Sequence, residues 1–529
     1  MTETCDILVI GGGTAGCIVA ARLSEDAGTR VILLEAGPPD TDPWIHIPGG
    51  YARLFVSGKY DWKFKTEPEP ELGGRVVNWP RGRVLGGSGS INGLVFLRGS
   101  PHDFDRWAQA GARGWSYDDV LPAFRKLEDW RGVPSPARGV GGPVPVGEPV
   151  GLSPGAAAFV DSCAALGFPR LADVNASAIE GTAPMQLNTR RGRRVSSAQA
   201  YLRPARARPN LRVFTNTTVS RLTFEGGRAT GCLAVRDGAP EAPILAAREV
   251  VVCAGAIASP KLLMLSGIGD GAALSAFGLP VLVHRPAVGQ NLQDHYIARS
   301  AYRTRPAGTM NERAGTFMRR AMMAAAYAIH RRGPLAVGAS EALLFARVTP
   351  GAEEAEVQYQ FVNFSLEPGR GYTLAAHPGF MFNYNQCRPD SRGTLALRSP
   401  DPADAPVIHA NYLSAATDRR VMLEGARLAR RIGRTSPFRD LVLEELTPEG
   451  DDDATLDYIR ATGTTVYHPC GTCRMGADSA AVLDPELRVR GVDGLRVMDA
   501  SAFPLIPSSN IQPAVMMLAE RGAEMIRAA

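Results

Sequence analysis

The stretch TVYHPCGTCRMG, residues 465–476, sets one histidine beside a C-x-x-C pair. Three chemistries compete for it. Cys470 and Cys473 could bind zinc, but a zinc site needs two further thiolate or imidazole ligands at a suitable spacing. The chain has no second C-x-x-C and no H-x₃₋₅-H. They could form a redox dithiol, which favours a helix N-terminus after a strand; Pro469 and Gly471 do not suggest one. His468 could be a general base, because a neutral imidazole titrates near pH 6.5 and can take an alcohol proton within hydrogen-bond reach. On this stretch alone an ordinary turn remains the alternative.

A base needs a partner, and the first 37 residues predict one. DILVI, residues 6–10, reads as a short buried strand; CIVAARLSED has apolar residues at helical spacing; RVILLEAG reads as a second buried strand. Gly11, Gly13 and Gly16 match G-x-G-x-x-G, and Glu35 ends the second strand. Gly11 makes a tight turn and Gly13 lets the backbone approach a pyrophosphate. Gly16 packs helix on strand, and Glu35 offers a carboxylate to ribose hydroxyls. This β-α-β unit predicts dinucleotide binding and does not choose between NAD and FAD.

At 529 residues the chain exceeds what one core usually serves, so two or more lobes are expected. With 45% hydrophobic and 21% charged residues it reads as globular rather than disordered. The net charge of +5 is scattered without a basic run, which argues against nucleic acid as a partner. MTETCDILVIGGG lacks a basic n-region and a cleavage site, and no apolar run reaches the about 18 to 20 residues of a membrane span. Together with eight dispersed cysteines, these features give the expectation of a cytoplasmic protein without an integral membrane segment. FMRRAMMAAAYAIHRR, residues 317–332, is amphipathic and is expected to pack on its own protein rather than on a membrane. Residues 210–237 read as alternating strands around a Gly-Gly turn, and 249–269 as a buried strand entering a helix. Residues 300–460 read as a separate substrate-facing lobe, and the chain closes with a strand, a Pro-rich loop and an amphipathic helix.

Five blocks in order resemble the glucose-methanol-choline (GMC) family of flavin-dependent oxidoreductases. They are VIGGGTAGCIVAARLSE with LLEAG; PRGRVLGGSGSINGLVFLRG; GAIASPKLLMLSGIG; AVGQNLQDH; and YHPCGTCRMG followed by GLRVMDASAFPLIPSSNIQPAVMMLAERGAEMI. The resemblance implies an α/β fold, α+β overall. A Rossmann-like FAD-binding domain would come from residues 1–155, 195–305 and 460–529. A substrate-binding domain, an antiparallel sheet flanked by helices, would come from 156–194 and 306–459. It implies FAD contacts at Gly11, Gly13, Thr14, Ala15, Gly16, Glu35 and Ala36, and at Arg83, Gly86, Gly87, Ser90, Asn92 and Gly93 of the Gly-rich loop. Further contacts would come from Val219, Ala254, Gly255, Asp499, Ala500, Asn510, Ile511 and Gln512. The loop GGSGS suits close approach of backbone N–H groups to the ligand. Some choline-oxidising members bind FAD covalently through a His just before the Asn of this loop; Ile91 stands there, so non-covalent FAD is expected.

Of the eight histidines only His468 lies in the family's catalytic motif, and the resemblance makes it the base. The second catalytic position, counted from Asp499, is Asn510, which also suits a helix N-cap. His295 is expected in a structural or cofactor-side role, and Cys470 and Cys473 are expected to be incidental, with no metal. The expected reaction is oxidation of the CH–OH group of a small primary, pyridoxine-like heteroaromatic alcohol to an aldehyde. Electrons would then pass to dioxygen or a quinone-like acceptor. The alternatives are a choline-type alcohol dehydrogenase and a hydroxynitrile-lyase-like FAD protein without net redox chemistry.

Overall fold

Two seven-stranded sheets organise the chain. The computed structural model describes residues 3–176, 179–367 and 371–528. Strand β1 (Glu3–Ile10) lies parallel between β2 (Val31–Leu34) and the strand Ala242–Val252. Covered on both faces, Ile7 to Ile10 form an unbroken apolar run rather than an alternating one. Leu211–Phe214 extends the parallel set beyond β2, and Leu495–Val497 joins beside Val250–Val252. The other half of Ala242–Val252 pairs antiparallel with Arg228–Arg236, which pairs with Thr217–Glu225.

Helix α1 (Thr14–Leu23) crosses from β1 to β2 and is almost wholly buried, its small residues Ala15, Gly16, Cys17, Ala20 and Ala21 permitting close packing. The C-terminal helix Gln512–Ala528 packs against it. Their interface encloses Glu520, fully buried, whose carboxylate accepts from Arg22 Nε and Nη2 and from Tyr201 Oη at 2.6 Å. Lys126 Nζ, 3.3 Å from Glu520 Oε2, gives the buried carboxylate a second cationic partner beside Arg22.

The second sheet is antiparallel, in the order Val442–Glu445, Tyr296–Thr304, Gly379–Gln386, Val357–Val362, Ala342–Ala346, Gly181–Pro184, with Thr464–Thr465 also pairing to Tyr296–Ile297. Tyr296–Thr304 therefore belongs to this sheet, whereas the sequence placed residues to 305 with the FAD-binding domain. Its alternating pattern pairs equally well with either lobe, and only the partner strands decide. Helix Ala416–Gly433 covers one face, burying Val421, Met422, Leu428 and Ile432. Tyr359 Oη donates to Gly425 O at 2.7 Å beneath it.

The other face looks into a cavity. Side chains alternate across a strand, so Ile297 and Arg299, Gln360 and Val362, Met381 and Asn383 all point the same way. The register sets Arg299, Asn383 and Gln360 opposite one another in one row across three strands.

Helix Phe317–His330 forms as the sequence predicts, but its packing does not. Among its residues only Tyr327 is buried. The expectation that its apolar face packs on the protein fails because Met323 and Tyr327, on the opposite side, make the contact.

Candidate active site

The parallel strands end together, and a cavity of about 730 Å³ opens at their carboxyl ends, where open α/β sheets bind ligands. Ile10, Leu34 and Cys253 mark those ends in its wall. Gly11 then turns with φ +103°, a conformation strained for any side chain, and an added Cβ would stand 2.5 Å from Cys253 O. The chain next enters α1 at Gly13, with no side-chain cap and no acid in the first turn. Its free N–H groups and positive end, at Gly13, Thr14 and Ala15, face the cavity and suit a pyrophosphate.

Glu35 sits across from this helix end. Its carboxylate accepts from Gly12 N at 2.9 Å and Gly37 N at 2.7 Å, leaving lone pairs for hydroxyl donors. Burial pushes its pKa up to about 7. Asn92 donates through Nδ2 to Gln512 Oε1 and is held by buried Arg194, whose Nη1 and Nη2 donate to Asn92 Oδ1 and O at 2.6 Å each. Gln512 Nε2 is buried without a partner. An orphaned amide, an uncapped helix end and a glycine cradle together fit a bound dinucleotide.

Most residues expected at the cofactor line this cavity: Ala36, Arg83, Gly87, Gly93, Val219, Ala254, Gly255, Asp499, Ala500, Asn510 and Ile511 join those already described. Asp499 works partly through the chain, accepting from Gly255 N at 2.8 Å and Ser259 Oγ at 2.5 Å. Three do not reach the wall. Gly16 lies behind it, where a Cβ would stand 1.8 Å from Gly11 O, so it serves contact between helix and strand. Gly86 donates its N–H to Gly12 O at 2.7 Å, and Ser90 Oγ donates to Leu85 O at 2.7 Å, so both shape the loop. Ile91 does line the cavity, and its alkyl side chain offers no attachment point.

At the far end stands His468. The segments NLQDH and HPCGT pair through Gln293 and Cys470, each backbone N–H donating to the other's carbonyl at 3.0 and 2.9 Å. Tyr467 has φ +69°, a conformation unusual outside glycine, and His468 N donates to Asp294 Oδ1 at 2.7 Å. These constraints bring His468 Nδ1 to 2.9 Å from His295 Nδ1, and His468 Nε2 to 3.1 Å from Asn510 Nδ2.

The proton positions follow from one carbonyl. His295 Nε2 lies 2.8 Å from Cys387 O, which can only accept, so Nε2 carries the hydrogen and His295 Nδ1 accepts. His468 Nδ1 must then donate, leaving the lone pair on His468 Nε2 facing the cavity. Burial, reinforced by His295 and Arg81, holds His468 well below the ordinary imidazole pKa, and burial brings His295 down to about 4. Both rings are neutral at neutral pH. Asn510 Oδ1 accepts from Gln358 Nε2 at 3.2 Å, which fixes the amide with its NH₂ toward His468.

The hydrogen bond of His295, the anchor Asp294 and the guanidinium of Arg81 did not emerge from the sequence as parts of this site. Their only signal was membership of NLQDH and PRGRVLGG. Cys470 and Cys473 are fully buried, and burial raises both thiols well above their ordinary pKa. Their backbones do the structural work: Gly471, Cys473 and Met475 donate N–H groups to Ala500, Ser501 and Ala502 carbonyls. Among the described residues no three His, Cys, Asp or Glu side chains gather as metal ligands.

The fold and cavity are those of a dinucleotide-binding oxidoreductase, with a buried neutral histidine at the far end of the cavity. Family models for the GMC oxidoreductase match residues 5–297 and 389–519, and the chain belongs to that family, whose cofactor is FAD. A GMC-type oxidoreductase of Mycobacterium tuberculosis is 40% identical over 100% of both chains. An oxygen-dependent choline dehydrogenase of Brucella ovis is 40% identical over 98% of this chain and 95% of the relative. The crystal structure of pyridoxine 4-oxidase from Mesorbium loti superposes with TM-score 0.91 at 34% identity, covering 99% of both chains. This protein is thus an FAD-dependent enzyme of the class that oxidises alcohols. Among the described residues, no helix is long and apolar enough to cross a membrane.

Proposed function

We propose that this enzyme oxidises a small, uncharged primary alcohol with a polar aromatic ring, of the pyridoxine type, to its aldehyde. The observation that carries the mechanism is the hydrogen-bonded chain from Cys387 O through His295 to His468, which leaves His468 Nε2 as a neutral acceptor at the cavity. FAD, when bound, would supply a two-electron acceptor for the hydride of the carbinol carbon. His468 Nε2 accepts the hydroxyl proton, while Asn510 Nδ2 donates to the alcohol oxygen and holds it in place. His295 Nδ1 keeps its bond to His468 Nδ1–H as the imidazolium forms. Dioxygen or a quinone-like molecule is the proposed final electron acceptor.

The walls support the substrate class. Phe55 stacks at tilted angles on Tyr372 and Tyr467, with centroids 5.3 and 5.1 Å away, and Tyr372 Oη lies 2.5 Å from Tyr467 Oη. Beside them runs the row Arg299, Asn383, Gln360, in which Asn383 Oδ1 and Gln360 Nε2 are buried without partners. These groups can pair with ring substituents of a polar aromatic. A quaternary ammonium such as choline would find aromatic faces but also Arg81 and Arg299. The cavity's carboxylates are elsewhere engaged: Glu35 and Asp499 accept from glycine N–H groups, and Asp404 Oδ2 accepts from Ser399 Oγ at 2.5 Å.

The test is anaerobic mixing of the yellow holoenzyme with pyridoxine, an aryl alcohol and choline, following bleaching of the flavin. Pyridoxine or the aryl alcohol should bleach it fastest. Faster bleaching by choline would reverse the substrate assignment, and cleavage of an aldehyde cyanohydrin to aldehyde and hydrogen cyanide without bleaching would favour a lyase.

A further inference from the structure

Helix Phe317–His330 carries its apolar side outward. It touches the protein through Met323 and Tyr327, one turn apart, with Tyr327 Oη donating to Gly192 O at 2.9 Å. On the opposite arc of the helix fall Phe317, Met318, Ala321, Met322, Ala325 and Ile329. Phe317 is 81% exposed, Ile329 73%, Met318 67% and Met322 64%. An ordinary surface helix has the reverse arrangement.

The charge on this helix and the turn that follows it has one sign. From Phe317 to Arg332 there is no Asp or Glu, and Arg319, Arg320, Arg331 and Arg332 are exposed. The hairpin that receives Tyr327 adds exposed Arg190, Arg191 and Arg193. Among the described residues none of these arginines pairs with a carboxylate. The chain continues from the helix through Pro334–Ala336 to Ala339, which lines the cavity.

We infer that helix Phe317–His330 docks the enzyme on an anionic lipid surface, its apolar arc entering the acyl boundary and its arginines meeting phosphate headgroups. An outward apolar stripe flanked by unpaired cations is the pattern that holds a helix in the plane of a membrane. A second copy of this chain would bring the same unpaired arginines face to face, so like charges oppose that contact. The proposal stands on this surface alone and is independent of the substrate assigned above.

The experiment is flotation of the FAD-loaded protein with vesicles of phosphatidylcholine alone, or of phosphatidylcholine mixed with phosphatidylglycerol. The protein should float with the mixed vesicles only, and added salt should weaken binding. The combined variant F317S/M322S/I329S should bind at least about 10-fold more weakly, and R319Q/R320Q should lose much of the salt dependence. Retained flavin and unchanged alcohol oxidation in both variants show that the fold is intact. No flotation at low salt, or flotation of the triple variant at wild-type strength, would overturn the proposal. So would light scattering of vesicle-free protein showing a dimer that the triple variant converts to monomer.

Discussion

At the cofactor end of the cavity, the pyrophosphate cradle is built from main chain over one contiguous stretch, Gly11, Gly13 and the uncapped start of α1, with the Glu35 carboxylate close by in sequence and Asn92 and Gln512 added from elsewhere. At the proton-transfer end the site is built from side chains on four distant segments, with His295, His468, Asn510 and the carbonyl of Cys387 joined by hydrogen bonds. The first design tolerates almost no added atom. The second depends on each proton being in its place. The contrast suggests that steric changes should empty the first end, whereas electrostatic changes should slow the second while leaving FAD bound.

The largest expected effect is at the glycine end. Gly16→Ala puts a methyl group where 1.8 Å separates it from Gly11 O, so α1 must leave the strand. The variant is expected to purify without flavin absorbance; a yellow, active Gly16→Ala protein would refute the steric account. A smaller effect is expected from His295→Ala, which removes the acceptor that fixes the His468 tautomer. FAD should remain, and anaerobic flavin reduction should slow by about 10- to 100-fold, less than or equal to the loss typical of removing a base itself. An unchanged rate would show that the tautomer is set elsewhere. The smallest effect is expected from Cys470→Ala with Cys473→Ala. Both thiols are buried and raised in pKa, and their backbone N–H groups pair with neighbouring carbonyls. Stability should fall by about 1 kcal/mol per site, with flavin reduction at the wild-type rate; loss of that rate would give the thiols a chemical role.

The same contrast explains what was legible beforehand. The β-α-β start is local, and each glycine or carboxylate has a steric or hydrogen-bonding reason at a fixed offset, so G-x-G-x-x-G and Glu35 could be read directly. His468 and Asn510 were reached through family blocks, and the structure places their side chains 3.1 Å apart. The hydrogen bond from His468 to His295 was not legible, because 172 intervening residues and the pairing of Gln293 with Cys470 must be known first. Gly86 and Ser90 were expected at the ligand through the family resemblance, which places the loop beside the flavin without saying which of its residues face inward. For helix Phe317–His330 the periodicity predicted the element, but nothing in it says which side meets the protein. The strand Tyr296–Thr304 was placed on the wrong side of a boundary for a related reason: alternation gives a strand its faces and leaves its partners open.

The most direct test of the account is the pH dependence of anaerobic flavin reduction by a good alcohol, in the wild type and in His468→Ala. Burial depresses the His468 pKa, so the neutral base should persist as pH falls through the ordinary imidazole value near 6.5 and the rate should drop only below it. His468→Ala should keep FAD, react about 10²- to 10⁴-fold more slowly and lose that acid limb. An acid limb above pH 6.5 in the wild type, or the same limb and rate in His468→Ala, would contradict the assignment of the proton to His468 Nε2.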